Sequence, residues 1–216
     1  MKLYPKNRIP ENEVKKFIVI FYTIGTLGFL IPFTRDLFIA ITPFALLLNI
    51  YLLALYHKTY STKTTIAFTL IFLLGFFIEV IGVNTGLIFG NYQYGNGLGL
   101  KVLKTPLLIG VNWLFLTYVS TSILGNLKTQ YSIVILTAPL LMLSYDLVLE
   151  QVAPKMDMWS WQNNSVPQQN FIAWYLIAFV FVAMLKIFKI DTHNSMSKIL
   201  FACQFTFLVL LMLVLK

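Results

Sequence analysis

The chain has 216 residues, 58% of them hydrophobic and 11% charged, with a formal net charge of +8. Soluble domains carry about 25% charged residues, so most of this surface has to face lipid, and a soluble enzyme, a disordered tail and a disulfide scaffold are excluded. One cysteine, Cys203, and two histidines, His57 and His193, exclude an intrachain disulfide, a multi-cysteine zinc site, an iron–sulfur cluster and a multi-histidine iron centre.

Seven apolar runs are long enough to cross a hydrocarbon core of about 30 Å, which takes roughly 20 helical residues. They are placed at residues 17–33, 37–56, 65–84, 105–124, 131–150, 170–188 and 198–215. The reading is an all-α polytopic bundle of seven transmembrane helices, residues 1–216 forming a single integral membrane domain. The first run follows a basic segment but precedes the bulky Leu30-Ile31-Pro32-Phe33 rather than a small-residue cleavage site, so it reads as a retained anchor. Thr105-Pro106 reads as a cap and first residue of the fourth span, and Asn170 as the cap of the sixth.

The basic residues sort by side. Alternating the spans leaves 11 Lys and Arg with the N-terminus (Lys2, Lys6, Arg8, Lys15, Lys16, Lys58, Lys63, Lys128, Lys186, Lys189 and Lys198). The other side receives 5: Arg35, Lys101, Lys104, Lys155 and Lys216. The positive-inside rule then predicts a cytoplasmic N-terminus. No basic stripe with interleaved aromatics occurs, so nucleic acid is not an expected partner; the lipid bilayer is.

Two long loops, 85–104 and 151–169, are predicted on the side opposite the N-terminus, and three acids point to that side: Glu79, Asp146 and Glu150. Glu79 is about five residues inside its predicted helix end, roughly 7 Å deep at about 1.5 Å per residue. Intramembrane acids are costly unless paired and read as functional by default. Gly75, Glu79, Gly82 and Gly86 form one helical stripe. The stripe reads either as close helix packing or as a groove in which a slender ligand lies beside a carboxyl.

Asp146 and Glu150, spaced i,i+4, share a face; both can be solvated at the helix end or serve a site. Trp113, Trp159, Trp161 and Trp174 all fall near the same side, as interfacial belt anchors or as pocket walls. Asn84, Tyr92, Tyr94, Asn112 and Asn170 join them, and Gly95-Asn96-Gly97-Leu98-Gly99 reads as a flexible loop following no strand.

In order, these residues form Glu79-x2-Gly82-x2-Thr85-Gly86-x2-Phe89-Gly90-x-Tyr92-x-Tyr94, then Pro106-x6-Trp113. Asp146-x7-Pro154-x4-Trp159-x-Trp161 follows, and then Val166-Pro167-x2-Asn170-Phe171-x2-Trp174. The pattern resembles the membrane carotenoid hydratases of the CruF type, which include bisanhydrobacterioruberin hydratase. It covers roughly residues 79–174 and departs from the family at Ile88, at Glu150 with Pro154, and at Ser165.

The resemblance implies a cofactor-independent, metal-free enzyme of carotenoid biosynthesis in a bacterial inner membrane, with other enzymes of that pathway as neighbours. The implied reaction adds water across the terminal C1–C2 double bond of an acyclic carotenoid end group such as that of lycopene or γ-carotene. The product is a tertiary alcohol. Site residues implied are Glu79, Tyr92, Tyr94, Trp113, Asp146, Trp161, Asn170 and Trp174, around which Gly82, Asn84, Gly86, Phe89, Asn112, Glu150 and Trp159 join the expected substrate pocket.

Alkene hydration needs a proton donor, stabilisation of the cation and a water. Sheltering a carboxyl favours its proton-carrying form, a second carboxylate can take a proton from water, and each desolvated aromatic face stabilises a cation by about 2 kcal/mol. Glu79 is expected as donor and Asp146 as base, with the reverse assignment open. Two alternatives remain: a lycopene-type cyclase using the same cation, and a non-catalytic polyene- or lipid-binding protein. A retinal protein is excluded, since Lys198 and Lys216 lie only at the ends of the seventh span.

Overall fold

The computed structural model describes residues 9–125 and 130–215. Lys2, Lys6, Arg8, Lys128 and Lys216 of the charge count lie outside the described residues. Seven helices occur among the described residues: α1 (Glu11–Leu30), α2 (Pro32–Tyr56), α3 (Thr62–Thr85), α4 (Leu108–Gly125), α5 (Tyr131–Val152), α6 (Gln168–Ile187) and α7 (Ser197–Val214). Six of them, α2 to α7, are long and apolar enough to cross a membrane. Their outward faces are apolar: Phe44, Leu147, Ile172, Leu176 and Val180 are all exposed. Apolar surface on this scale has to be covered by lipid, and the chain is an integral membrane protein.

Chain ends follow local chemistry. Between α1 and α2 a single residue, Ile31, replaces the loop expected at 34–36; Pro32 takes a first-turn position where no N–H is needed. The orphan carbonyls at the end of α1 are met from α2, by the Thr34 hydroxyl on Gly28 O at 2.7 Å and Arg35 Nε on Phe29 O at 3.1 Å. Gly86 ends α3 in the left-handed region at φ 68°, its N–H bonded to Gly82 O.

The all-α expectation misses four short strands: β1 (Tyr92–Tyr94), β2 (Lys101–Val102), β3 (Thr105–Pro106) and β4 (Trp159–Trp161). Thr105-Pro106 is therefore a strand rather than a helix start. Leu103 and Lys104 both hold positive φ (52° and 66°), giving the two-residue turn that joins β2 to β3 antiparallel. β1 pairs antiparallel with β4 across the two long loops, with Tyr92 opposite Trp161 and Tyr94 opposite Trp159. The glycine segment after β1 is an ordered turn: Gly95 N–H reaches Met158 O at 2.9 Å, and Gly97 N–H reaches Asp157 O at 2.7 Å.

α4 is the central helix, packed against α2, α3, α5, α6 and α7. Helix alternation brings the C-terminal ends of α3 and α5 and the N-terminal ends of α4 and α6 to one end of the bundle, where the β1–β4 ribbon lies.

Candidate active site

Alternate residues of a strand share a face. Tyr92 and Tyr94 of β1 and Trp159 and Trp161 of β4 therefore put four rings on one side of the ribbon. Opposite partners touch: Tyr92 and Trp161 at 5.1 Å between ring centres, Tyr94 and Trp159 edge-to-face at 6.1 Å. Each strand serves one carboxyl. Glu79 of α3, 4% exposed, accepts the Tyr92 and Tyr94 hydroxyls on Oε2, both at 2.7 Å. Its Oε1 accepts the Trp113 indole N–H at 3.0 Å. Glu150 of α5, also 4% exposed, accepts the Trp159 and Trp161 indole N–H groups on Oε2 at 3.0 and 2.7 Å.

Asn170 does not cap α6. The helix begins at Gln168 after Pro167, and Asn170 sits in its first turn with its side chain turned into the bundle. Its amide donates to Glu150 Oε1 and to Asp146 Oδ2, both at 3.2 Å. Asp146 is fully buried, and its Oδ1 has no hydrogen-bond partner among the described residues. The three acids are within electrostatic reach of one another. No group of three or more His, Cys, Asp or Glu side chains among the described residues is arranged to hold a metal ion. In the ribbon, burial and then the nearby Glu79 carboxyl push the Tyr92 and Tyr94 phenols above the usual tyrosine range.

The glycine stripe is occupied by the protein itself. A Cβ on Gly75 would stand 2.8 Å from Trp113 Cβ, and one on Gly82 would stand 2.5 Å from the Phe89 ring. A Cβ on Gly86 would meet the Asn91 side chain at 2.2 Å. The missing side chains make room for Trp113, Phe89 and Asn91, so the stripe is not an open ligand groove. All four tryptophans are buried, which belt anchors facing headgroups are not; Trp113 stacks on Trp174 at 4.2 Å.

A cavity of about 20 Å³ lies under the ribbon, lined by its four aromatic residues and by Glu79, Glu150, Asn170 and Trp174. That is room for about one water, which needs roughly 10–15 Å³. Asp146, expected to share this space with Glu79, does not line it; Glu150 does. A second cavity of about 290 Å³, almost wholly apolar, lies among α1, α2, α4, α5 and α7. Trp159 and Ile109 line both, so the cavities abut.

Two expected site residues fall elsewhere. Asn84 is exposed and ties α3 to the β2–β3 turn through Val80 O and Leu103 O, at 2.8 and 3.2 Å. Asn112 lines the larger cavity. Missed altogether were Ile109, which carries no sequence signal, and the polar residues Tyr22, Thr42, Tyr145 and Gln204, which face the larger cavity. Gln204 could have been found as an amide inside an otherwise apolar run.

Fold and site together define a polytopic membrane protein with carboxyl groups sheltered beneath an aromatic ribbon, beside an apolar cavity. The chain belongs to the carotenoid biosynthesis protein family, whose model matches residues 38–216. That match takes in the whole site and leaves α1 outside it. No curated protein and no solved structure matches the chain.

Proposed function

We propose that this protein is a cofactor-independent carotenoid 1,2-hydratase, adding water to the terminal double bond of an acyclic carotenoid end group. The observation carrying this reading is that Glu79 and Glu150 face one water-sized cavity walled by aromatic rings, against an apolar cavity of about 290 Å³. At about 290 Å³ the larger cavity is close to the lower end of ligand pockets, about 300 Å³, a size that suits an end group whose polyene tail lies among lipid chains.

In this reading the end group enters past Ile109 and Trp159. A carboxyl protonates the less substituted alkene carbon, and the tertiary cation forms between ring faces, each worth about 2 kcal/mol of stabilisation. The water held by the second carboxyl then attacks. Glu150 takes the place that sequence spacing suggests for Asp146, because Asp146 stands behind Asn170.

We also propose that α1 is a seventh span. Its charges, Glu11, Glu13, Lys15 and Lys16, are confined to its first two turns, while Ile20, Ile24 and Leu27 are exposed and apolar. With the bias of 11 basic residues against 5, the N-terminus is cytoplasmic and the ribbon faces outward, in a bacterial inner membrane.

Expression in a host that accumulates lycopene, followed by mass analysis of the pigments, tests the reaction. An alcohol heavier by one water is expected. An isomer of unchanged mass would instead mean a cyclase, and unaltered pigment a binding protein.

A further inference from the structure

We infer that hydrogen-bonding partners divide the labour: Glu79 delivers the proton to the alkene, and Glu150 remains a carboxylate that receives the proton of the attacking water. This assignment rests on the hydration reading above and deepens it.

The two acids differ in what surrounds them. Glu150 meets three donor-only groups, the indole N–H of Trp159, that of Trp161 and the amide of Asn170. An indole N–H and an amide NH₂ donate and do not accept. A proton placed on Glu150 would be a buried donor with no acceptor among these three partners. Asn170 is fixed in this role because its amide also donates to Asp146, which makes Asp146 a positioning residue.

Glu79 meets two phenols and one indole. Trp113 donates to Oε1 and cannot accept, whereas a proton on Oε2 lies where both phenols converge at 2.7 Å. A phenol both donates and accepts. One hydroxyl can turn to accept the Oε2 proton while the other still donates to the same oxygen. The turned hydroxyl can send its own hydrogen to the other phenol, since both hydroxyls converge on the same oxygen, each 2.7 Å from it. Glu79 can thus carry a proton that its partners accept, and the partners of Glu150 accept none.

The cycle balances. The π pair of the alkene forms a new C–H bond with the Glu79 proton, and the O–H pair stays on Glu79 as carboxylate. A water lone pair forms the C–O bond to the cation. The oxonium loses a proton to Glu150, its bonding pair remaining on the alcohol oxygen. The next water to enter carries that proton from Glu150 back to Glu79, which restores both groups.

The test uses the full chain in phosphatidylcholine vesicles loaded with lycopene, in D₂O, with mass analysis of both the alcohol and the recovered lycopene. Wild type is expected to yield deuterated alcohol. Glu150→Gln should lower alcohol about 100-fold or more while recovered lycopene gains deuterium, because Glu79 still protonates the alkene and the uncaptured cation gives a proton back. Glu79→Gln should leave both species free of deuterium. Deuterium in lycopene recovered from Glu79→Gln, or none in that recovered from folded Glu150→Gln, overturns the assignment.

Should Glu150→Gln fail to fold, Glu150→Asp keeps the charge but withdraws it. It should show the same split between exchange and alcohol, and equal loss of both overturns the assignment. Tyr92→Phe and Tyr94→Phe should each slow deuterium entry about tenfold with KM unchanged; unaltered rates overturn the role given to the phenols. Wild type that exchanges deuterium without making alcohol, or that does neither, defeats the hydration reading itself.

Discussion

Two of the polar networks in the apolar interior of this bundle are built from different chemistry. In the middle of the bundle, Tyr22, Asn49, Gln204 and Tyr145 link α1, α2, α7 and α5. Asn49 donates to the Tyr22 hydroxyl and to Gln204 Oε1, and Gln204 donates to the Tyr145 hydroxyl at 2.8 Å. Every member is neutral. At the ribbon end stand Glu79, Asp146 and Glu150, attended by phenols, indoles and one amide. Neutral groups in an apolar medium need only a partner, whereas a buried carboxylate needs several donors to offset its desolvation. The middle network therefore fastens helices, and the end network stores ionisable groups.

Exchanging the ionisable groups should break this contrast most sharply. Glu79→Gln keeps the side-chain shape and removes the acid, so product in a lycopene-accumulating host should fall by about 10²- to 10⁴-fold, the span of general acid catalysis, as read by pigment mass analysis. Trp161→Phe keeps a ring over the cavity and deletes one donor to Glu150. Losing a hydrogen bond to a charged group costs about 1.5–3 kcal/mol, and turnover should drop by about ten- to a hundredfold.

Gly82→Ala sharpens the comparison from the packing side. Its Cβ would press on the Phe89 ring at 2.5 Å. Overpacking costs about 1–3 kcal/mol, and thermal unfolding in detergent should show a lowered midpoint together with lower turnover. The smallest effect is expected in the middle network. Asn49→Leu, at a network residue that does not line the larger cavity, should cost about 0.6–2 kcal/mol of stability while turnover per folded molecule stays within about twofold. A collapse of turnover there, with stability intact, would show that the neutral network takes part in chemistry.

Much of this architecture is legible from residues alone, because burial in lipid is a property of each segment by itself. Long apolar runs between polar loops mark the helices, and alternation of spans sends Glu79, Asp146, Glu150 and the tryptophans to one end. Span ends shift where local chemistry intervenes: Pro32 lets α2 start almost against α1, and the Leu103-Lys104 turn converts Thr105-Pro106 from helix start to strand. The alternation Tyr-x-Tyr and Trp-x-Trp is visible in the sequence, but each segment is too short to signal a strand.

Composition, hydropathy and spacing thus determined that the chain is a membrane helix bundle with its acids gathered at one end. Tertiary structure decided that β1 pairs with β4, that Glu150 rather than Asp146 joins Glu79 at the cavity, and that the glycine stripe is filled by the protein's own side chains. The reason is physical. Hydrophobicity and helix period belong to single segments, whereas which donor reaches which carboxyl depends on the distance between segments far apart in the chain, and that distance exists only once the bundle has packed.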